Sequence, residues 1–283
     1  MAKKKIQKIN NLIVVSDLHC GCRLGLCPSD LVSLDDGGTY ESSKEQKKVW
    51  ACWEEFWYKW VPQATHNEPY AVCINGDAID GVHHGATTQI SHNLMDQGRI
   101  AAAILRPIKE LCEGRLYVIR GTEAHVGQSG CEEERLAESL GAIPDAEGRY
   151  ARYELWARVG KGLTHISHHI STTGTSAYES TAVTKELAES YCEAGRNRLE
   201  PPDVVVRSHR HRHIEVRVPT KLGYGISFTT PGWQLKTPFS YRIPGGRVTT
   251  AQVGGSLIRQ GDIDLYTRHK VWSASRSQIV EVL

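Results

Sequence analysis

Five short apolar runs alternate with helical segments over the first two thirds of the chain, and this alternation constrains the fold more than any other feature. The runs are "LIVVS" (12–16), "YAVCIN" (70–75), "LYVIR" (116–120), "LTHIS" (163–167) and "DVVVRS" (203–208). Each has the length and nearly continuous apolar character of a strand that is buried on both faces. Strands that alternate with helices predict an α/β fold with mostly parallel strand pairing.

The segments between these runs include helices with one apolar face. In "KEQKKVWACWEEFWYKWV" (44–61), Trp50, Trp53, Trp57 and Trp60 recur at helical spacing. We expect this tryptophan stripe to pack on a sheet.

The last third of the sequence has a different pattern. From about residue 213, strands joined by turns are expected in "HIEVRV" (213–218), "GISFTT" (225–230), "GGSLIRQGDIDLYTRH" (254–269) and "SQIVEVL" (277–283). We predict that they form hairpins of a second sheet packed on the first. Because no flexible linker separates the parts, we predict one domain over residues 11–283, preceded by a basic tail at 1–10.

Composition narrows the class of protein without naming a substrate. The 34 Lys and Arg residues nearly balance 32 Asp and Glu residues, which neither demands nor excludes a polyanionic partner. No apolar run approaches the ~20 residues that a membrane span needs, and no signal peptide is evident, so a cytoplasmic protein is expected.

The eight cysteines are scattered, as buried thiols in a reducing compartment are. Cys20 and Cys22 form a C-x-C pair, which is a weak metal-binding signal.

Acidic residues and histidines follow all five buried runs. They are Asp17 and His19, Asp77 and Asp80, Glu123 and His125, His168 and His169, and His209 and His211. Carboxyl ends of parallel strands meet at one edge of a sheet, so these side chains are expected to lie close together. Such crowding costs charge repulsion and desolvation unless cations are bound. Mixed Asp and His ligands suit Mn, Zn or Fe, and their number suits two ions roughly 3.5–4 Å apart.

The order of these motifs resembles that of the calcineurin-like metallophosphoesterases. Their pattern is D-x-H, G-D-x-x-D, G-N-H-[DE], a His after a strand, and G-H-x-H. Asp17 and His19 match the first motif, and "GDAID" (76–80) matches the second. "ISHH" (166–169) matches the fourth, and "SHRH" (208–211) matches the last with Ser208 in place of Gly. The resemblance extends over residues 12–213.

This resemblance implies a four-layer α-β-β-α sandwich, with two mixed sheets flanked by helices. It also implies a dinuclear metal centre, with Mn as the first choice and Zn or Fe as alternatives. One ion would be held by Asp17, His19, Asp77 and His211. The other would be held by Asp77, His168 and His209, with Asp77 bridging both. His168 is preferred to His169 because it directly follows the strand.

The third motif departs from the family pattern. The family has Gly, Asn and His in succession, whereas this chain has Gly121-Thr122-Glu123-Ala124-His125. In one interpretation, which we favour, a two-residue insertion lets Thr122 or Glu123 replace the Asn as a metal ligand while His125 faces the substrate. In the other, the second metal site is weakened and Glu123 faces solvent. The sequence does not decide between Thr122 and Glu123.

The implied reaction is attack of a metal-bridged hydroxide on the phosphorus of a phosphoester. His125 is the candidate general acid, since an imidazole titrates near working pH. Asp80 is expected to orient His19 or another imidazole.

Four further residues are candidates for substrate binding: Arg210, His83, His84 and His169. The competing interpretation of Arg210 is an ordinary surface arginine. The competing interpretation of His83 and His84 is an ordinary loop position without a role in binding.

Two classes of function compete at this point. The first is a phosphatase or phosphodiesterase acting on a nucleotide, a nucleic acid or a phosphoprotein, with a nuclease as the most concrete form. The second is a scaffold or binding protein that keeps the fold without the chemistry. Only the altered third motif favours the second class.

Overall fold

The computed structural model describes residues 9–171, 176–221, 223–242, 248–274 and 281. Most of the predicted basic tail (1–10) lies outside these residues, as does nearly all of the predicted last strand at 277–283. No helix within the described ranges is both long enough and apolar enough to cross a membrane.

Thirteen strands and six α-helices are formed by the described residues. The strands are β1 (Asn11–Val15), β2 (Val32–Ser33), β3 (Thr39–Tyr40), β4 (Ala71–Asn75), β5 (Leu116–Ile119), β6 (Ala151–Arg152), β7 (Glu154–Val159), β8 (Gly162–Ser167), β9 (Val204–Arg207), β10 (Ile214–Thr220), β11 (Gly223–Thr229), β12 (Gln252–Gln260) and β13 (Leu265–Ser273). The helices are α1 (Lys44–Glu55), α2 (Val61–Thr65), α3 (Leu94–Leu111), α4 (Glu123–Val126), α5 (Cys131–Leu140) and α6 (Glu179–Asn197).

Two mixed sheets form the centre of the molecule. The first has the order β13-β12-β1-β4-β5-β6, in which β1, β4, β5 and β6 run parallel. The second has the order β10-β11-β9-β8-β7, in which β8, β9 and β11 run parallel. Strands β2 and β3 form a separate small ribbon.

Burial on both faces explains the continuous apolar runs. In β1, Ile13 and Val15 belong to the core beneath the helices, whereas Leu12 and Val14 belong to the core between the sheets. Helices α1, α3 and α5 contribute side chains to the first core, and α6 packs on the outer face of the second sheet. The predicted four-layer α-β-β-α fold is therefore confirmed.

The tryptophan stripe serves this packing. Trp53 and Trp57 are buried, and Trp50 and Trp60 are partly buried against the same core. A π-helical turn at Phe56–Trp60 continues α1 into α2.

The prediction for the last third is correct for one hairpin and wrong for another. Strands β10 and β11 join the second sheet, as expected. Strands β12 and β13 instead extend the first sheet, with β12 antiparallel to β1. The reason is that β12 is apolar on both faces: Leu257 enters the core beneath the helices and Ile258 enters the core between the sheets. Such a strand is stable only where both faces of its sheet are covered, and beside β1 the helices cover one face and the second sheet covers the other.

Candidate metal centre

Loops that follow strands of both sheets are hydrogen-bonded into one assembly. In the first sheet, the amide of Asp17 donates to the carbonyl of Gly76 at 2.9 Å. In the second sheet, the amide of Ser208 donates to the carbonyl of His168 at 2.8 Å. The side-chain amide of Asn75 joins the sheets, because it donates to the hydroxyl of Ser208 at 2.6 Å. The residues predicted at the strand ends therefore meet at one edge.

Asp17, His19 and His211 form the first cluster of ligand atoms, all within 4.8 Å of one another. Nε2 of His211 lies 3.3 Å from Oδ1 of Asp17 and 3.1 Å from Nε2 of His19. The other carboxylate oxygen, Oδ2, is held by the hydroxyl of Ser16 and by the amide of His209. This leaves Oδ1 of Asp17 buried and directed at the two imidazoles.

Asp77, His168 and His209 form the second cluster. Nε2 of His168 lies 3.1 Å from Oδ2 of Asp77 and 3.9 Å from Oδ1 of Asp17, so the two clusters are adjacent. Nδ1 of His168 lies 2.7 Å from the carbonyl of Asn75, which turns Nε2 towards the carboxylates. Burial alone would lower the pKa of His168, but the carboxylates of Asp77 and Asp17 raise it to about 10.

These side chains fit divalent cations. Oδ1 of Asp17 is buried without a hydrogen-bond partner among the described residues. Nitrogens of His19 and His211 face each other at 3.1 Å, an arrangement in which only one of them can carry a proton. Five ligand candidates also have a left-handed backbone: Asp17, His19, Asp77, His209 and His211 have φ between 46° and 71°. Non-glycine residues adopt such values at a cost, and they concentrate at functional sites.

Two glycines make room for the clusters. A Cβ atom on Gly121 would lie 2.1 Å from Oδ1 of Asp77, and one on Gly76 would lie 2.3 Å from Nδ1 of His168. Larger residues would displace the ligands. The two packed sheets match the fold that the motif order implied, and the paired clusters match the ligand groups that it implied.

The chain has the four-layer α-β-β-α architecture that the resemblance of its motifs implied.

No protein-family model and no curated protein matches the sequence. Among solved structures, a predicted phosphoesterase from Streptococcus pneumoniae is similar at 12% identity and a TM-score of 0.37, over 94% of this chain and 90% of that one. Vacuolar protein sorting 29 from Cryptosporidium parvum has 10% identity and a TM-score of 0.33, over 94% and 100%. Sulfate thiohydrolase SoxB from Thermus thermophilus has 14% identity and a TM-score of 0.39, over 96% and 58%.

The altered third motif brings Thr122, and not Glu123, to the clusters. The hydroxyl of Thr122 lies 3.1 Å from Nδ1 of His209 and 3.3 Å from Oδ2 of Asp77. Glu123 is exposed, and its carboxylate accepts a hydrogen bond from the amide of Ser129 at 3.3 Å. A helical turn begins directly after Thr122, which points Glu123 away from the site. Of the two alternatives, Thr122 therefore lies beside the clusters and Glu123 lies away from them.

The same helical turn carries His125 back to the site. Its ring contacts that of His19 edge to face, with centroids 4.6 Å apart, and its Nδ1 lies 2.6 Å from the carbonyl of Asp80. His19, Asp77 and His125 present ligand atoms within 4.8 Å of one another. Burial, together with the neighbouring His19, lowers the pKa of His125 to about 4.

Asp80 is placed to orient His19. Its Oδ1 lies 3.2 Å from Nδ1 of His19, and its Oδ2 accepts a hydrogen bond from Gln89 at 2.9 Å. This contact directs Nε2 of His19 towards the other two members of the first cluster, and metal-binding imidazoles need such a partner on their second nitrogen.

The predicted substrate-binding residue Arg210 lies between His209 and His211 in the chain. Nε of Arg210 is buried and lacks a hydrogen-bond partner within the described part of the chain. Its neighbours Arg207 and Arg212 are paired with Glu186 and Glu179.

The other three predicted substrate-binding residues are histidines. The ring of His83 packs against His125 at 4.3 Å, and His84 contacts His83. His169 is exposed, with its ring 5.0 Å from that of His168.

One residue beside the clusters, Glu133, was not predicted from the sequence. Glu133 of α5 is buried, and its carboxylate accepts hydrogen bonds from the amides of Ala78 at 2.9 Å and Gly121 at 2.6 Å. It thereby joins the loops that follow β4 and β5. Burial and the nearby Asp77 raise the pKa of Glu133 to about 7. In the sequence it lies among consecutive glutamates of a helix, which is typical of a solvated face.

Proposed function

We propose that this protein is a hydrolase of phosphoesters whose reaction centre holds two divalent cations. One observation carries the proposal: two adjacent Asp and His clusters lie at the carboxyl ends of the central strands. Asp17, His19 and His211 would hold one ion, and His168 and His209 the other. Asp77 would contact both ions, because its ligand atoms lie within reach of residues from both clusters. The hydroxyl of Thr122 would complete the second site.

This donor set supports manganese as the first choice, with zinc or iron as alternatives. When bound, two such ions lower the pKa of water and neutralise the negative charge of a phosphate. The residues around them fix the ligands: Asp80 orients His19, and the carbonyl of Asn75 orients His168.

His125 would protonate the leaving alcohol. Its Nδ1 is directed at the carbonyl of Asp80, so Nε2 is the nitrogen available to a substrate. The lowered pKa makes the imidazole neutral in the free protein. The negative charge of a phosphate beside it favours protonation, and the proton can then pass to the leaving oxygen. Arg210, whose Nε is unpartnered within the described residues, would bind a non-bridging phosphate oxygen.

The ester class and the location are further parts of this proposal. A phosphodiesterase or nuclease is the more specific form, and a phosphatase is the other. The described cysteines are free and most of them are buried, which supports a reducing compartment such as the cytoplasm.

Hydrolysis of p-nitrophenyl esters tests the function. With added Mn, the wild-type protein should cleave bis(p-nitrophenyl) phosphate, p-nitrophenyl phosphate or both. Asp77→Asn should abolish turnover and reduce the bound Mn, because the bridging carboxylate loses its charge. Asp262→Asn, at an exposed position between β12 and β13, is the matched control and should behave as wild type. Turnover of the monoester alone would eliminate the nuclease form.

The second candidate is a non-catalytic scaffold, and Thr122 is the observation that favours it. A threonine hydroxyl replaces the amide that the family pattern places beside the second ion. Metal analysis by mass spectrometry separates the two candidates. Two ions per chain, with activity lost in Asp77→Asn, support the hydrolase. A folded protein that binds no metal and cleaves no phosphoester supports the scaffold.

A further inference from the structure

Two loops meet beside His125 through a pair of stacked rings. His84 belongs to the loop after β4, and Phe239 belongs to the segment between β11 and β12. Their ring centroids are 5.4 Å apart and their planes differ by 21°. Phe239 is 46% exposed and His84 is also exposed, so this stack is not part of a hydrophobic core. An exposed aromatic pair of this kind offers flat surface to a ligand.

A row of rings connects the stack to His125. His83 contacts His125 with centroids 4.3 Å apart and contacts His84 with centroids 5.2 Å apart. The Nδ1 atoms of His83 and His84 lie 3.0 Å from each other. Because His125 is placed to protonate the leaving group, the row formed by His83, His84 and Phe239 lies on the leaving-group side of the centre. We call these three residues the aromatic shelf.

Both loops of the aromatic shelf are attached to the metal centre. The loop after β4 begins with Asp77 and Asp80. The segment after β11 is held at its start, because the amide of Trp233 donates to the carbonyl of Asp17 at 2.9 Å. The shelf is therefore tied to the reaction centre from both sides.

Polar groups lie next to the shelf. Nε2 of His83 is buried and lies 3.7 Å from Oδ1 of Asp80, which holds the ring of His83 in place. In the same segment, the ammonium of Lys236 donates to the carbonyl of Thr249 at 3.2 Å and lies 4.0 Å from the ring centre of Tyr241, which is 56% exposed. Flat rings with a cationic group in the same segment suit a nucleotide, which has a planar base, sugar hydroxyls and a phosphate.

We propose that the aromatic shelf binds the nucleobase of a nucleoside leaving group, so that the substrates are nucleotide phosphoesters. This inference rests on the proposed hydrolase function and names its substrate class. Stacking of a base on an aromatic side chain raises affinity by about 5- to 150-fold. We therefore expect a preference of this size for substrates that carry a base over substrates that lack one.

Matched substrate pairs test the shelf. Adenosine 5′-monophosphate and ribose 5-phosphate both lose phosphate from a primary 5′-oxygen of ribose, and an anomeric hydroxyl takes the place of the base in the second. A thymidine dinucleotide and its analogue without the leaving-group base form the corresponding diester pair. For each pair, the ratio of kcat/KM with and without the base is measured with Mn present. The monoester and diester pairs separate free nucleotides from nucleic acid as the source of the base.

Variants at Phe239 then localise the preference. In the wild-type protein, at least one pair should give a ratio of about 5 or more. Phe239→Leu, which keeps an apolar side chain without a flat face, should lower that ratio towards 1. Phe239→Trp should retain it. Tyr58→Leu, at a 56% exposed aromatic residue of the π-helical turn, is the control and should also retain it.

The outcomes separate this inference from the function on which it rests. Equal rates within each pair, or an unchanged ratio in Phe239→Leu, would overturn the shelf while the hydrolase stands. Cleavage of p-nitrophenyl esters without cleavage of either nucleotide pair would overturn it as well. If no phosphoester of any kind is cleaved, the proposed function fails and the shelf fails with it.

Discussion

At the scale of single residues, the candidate ligands are held in conformations that the chain alone does not favour. Asp17 and Asp77 have left-handed backbones and buried carboxylates. Burial by itself would raise the pKa of Asp17, but His211 and His168 keep it at about 2. Burial would also raise the pKa of Asp77, but His168 holds it well below its ordinary value, so both carboxylates are ionised near neutral pH. A buried anion beside imidazole nitrogens is prepared for a cation.

Thr122 gives the first prediction at this scale. Thr122→Val preserves the shape of the side chain and removes the hydroxyl that faces His209 and Asp77. We expect the affinity for the second Mn ion to fall about 10- to 100-fold, as it does when groups around metal ligands are lost. Isothermal titration calorimetry measures this change. Thr122→Ser keeps the hydroxyl and should bind nearly as wild type; equal affinity in the Val variant would exclude the hydroxyl from the site.

His125 gives the second prediction. His125→Asn removes the proton donor and leaves the two proposed ligand clusters in place. For alkyl phosphoesters, whose leaving group requires a proton, kcat should fall about 10²- to 10⁴-fold. For p-nitrophenyl esters, whose leaving group departs as an anion, the loss should be much smaller. The same loss for both ester classes would contradict the role of general acid.

Residue types at the strand ends could be predicted from the sequence, but side-chain directions could not. An acid or histidine directly after a buried strand is a local pattern, and Asp17, Asp77 and His168 all follow it. Glu123 lies in the same pattern, yet the helical turn after Thr122 directs it to solvent. Glu133 was missed because its burial depends on α5 packing against loops that are distant in sequence.

At the scale of secondary-structure elements, α5 fixes the relative position of two ligand-bearing loops. Glu133→Gln should weaken this link, because an amide accepts only one of the two backbone hydrogen bonds well and its NH₂ opposes the other N–H. We expect a loss of about 1–3 kcal/mol in the free energy of unfolding. Urea unfolding measures it. Glu138→Gln, at an exposed position of the same helix, should change stability little; an equal effect in both variants would contradict the role of Glu133.

The hairpin of β12 and β13 shows what element-level prediction lacks. Its strands were expected from alternation and turn residues, and they exist. Which sheet they join depends on which strand has a free edge, and that is a property of the assembled fold. The tryptophan stripe, by contrast, is a local periodic signal, and its central residues Trp53 and Trp57 are buried as that signal indicates.

At the scale of the whole molecule, cation binding should be coupled to stability. The two clusters join loops from both sheets, so ions that bind only the folded state stabilise the whole chain. At a free Mn concentration 100 times Kd, each site should add about 2.7 kcal/mol, and Tm should rise by several degrees. Thermal unfolding with Mn or with EDTA measures this shift. Asp77→Asn should show a reduced shift; an equal shift would place Mn elsewhere on the protein.

Anomalous X-ray diffraction from Mn-soaked crystals tests the central claim most directly. The account predicts two anomalous peaks at the carboxyl ends of the central strands. One should lie against Asp17, His19 and His211 and the other against His168 and His209, with Asp77 between them. Crystals that show no peak there, or a peak only at another surface, would contradict the account.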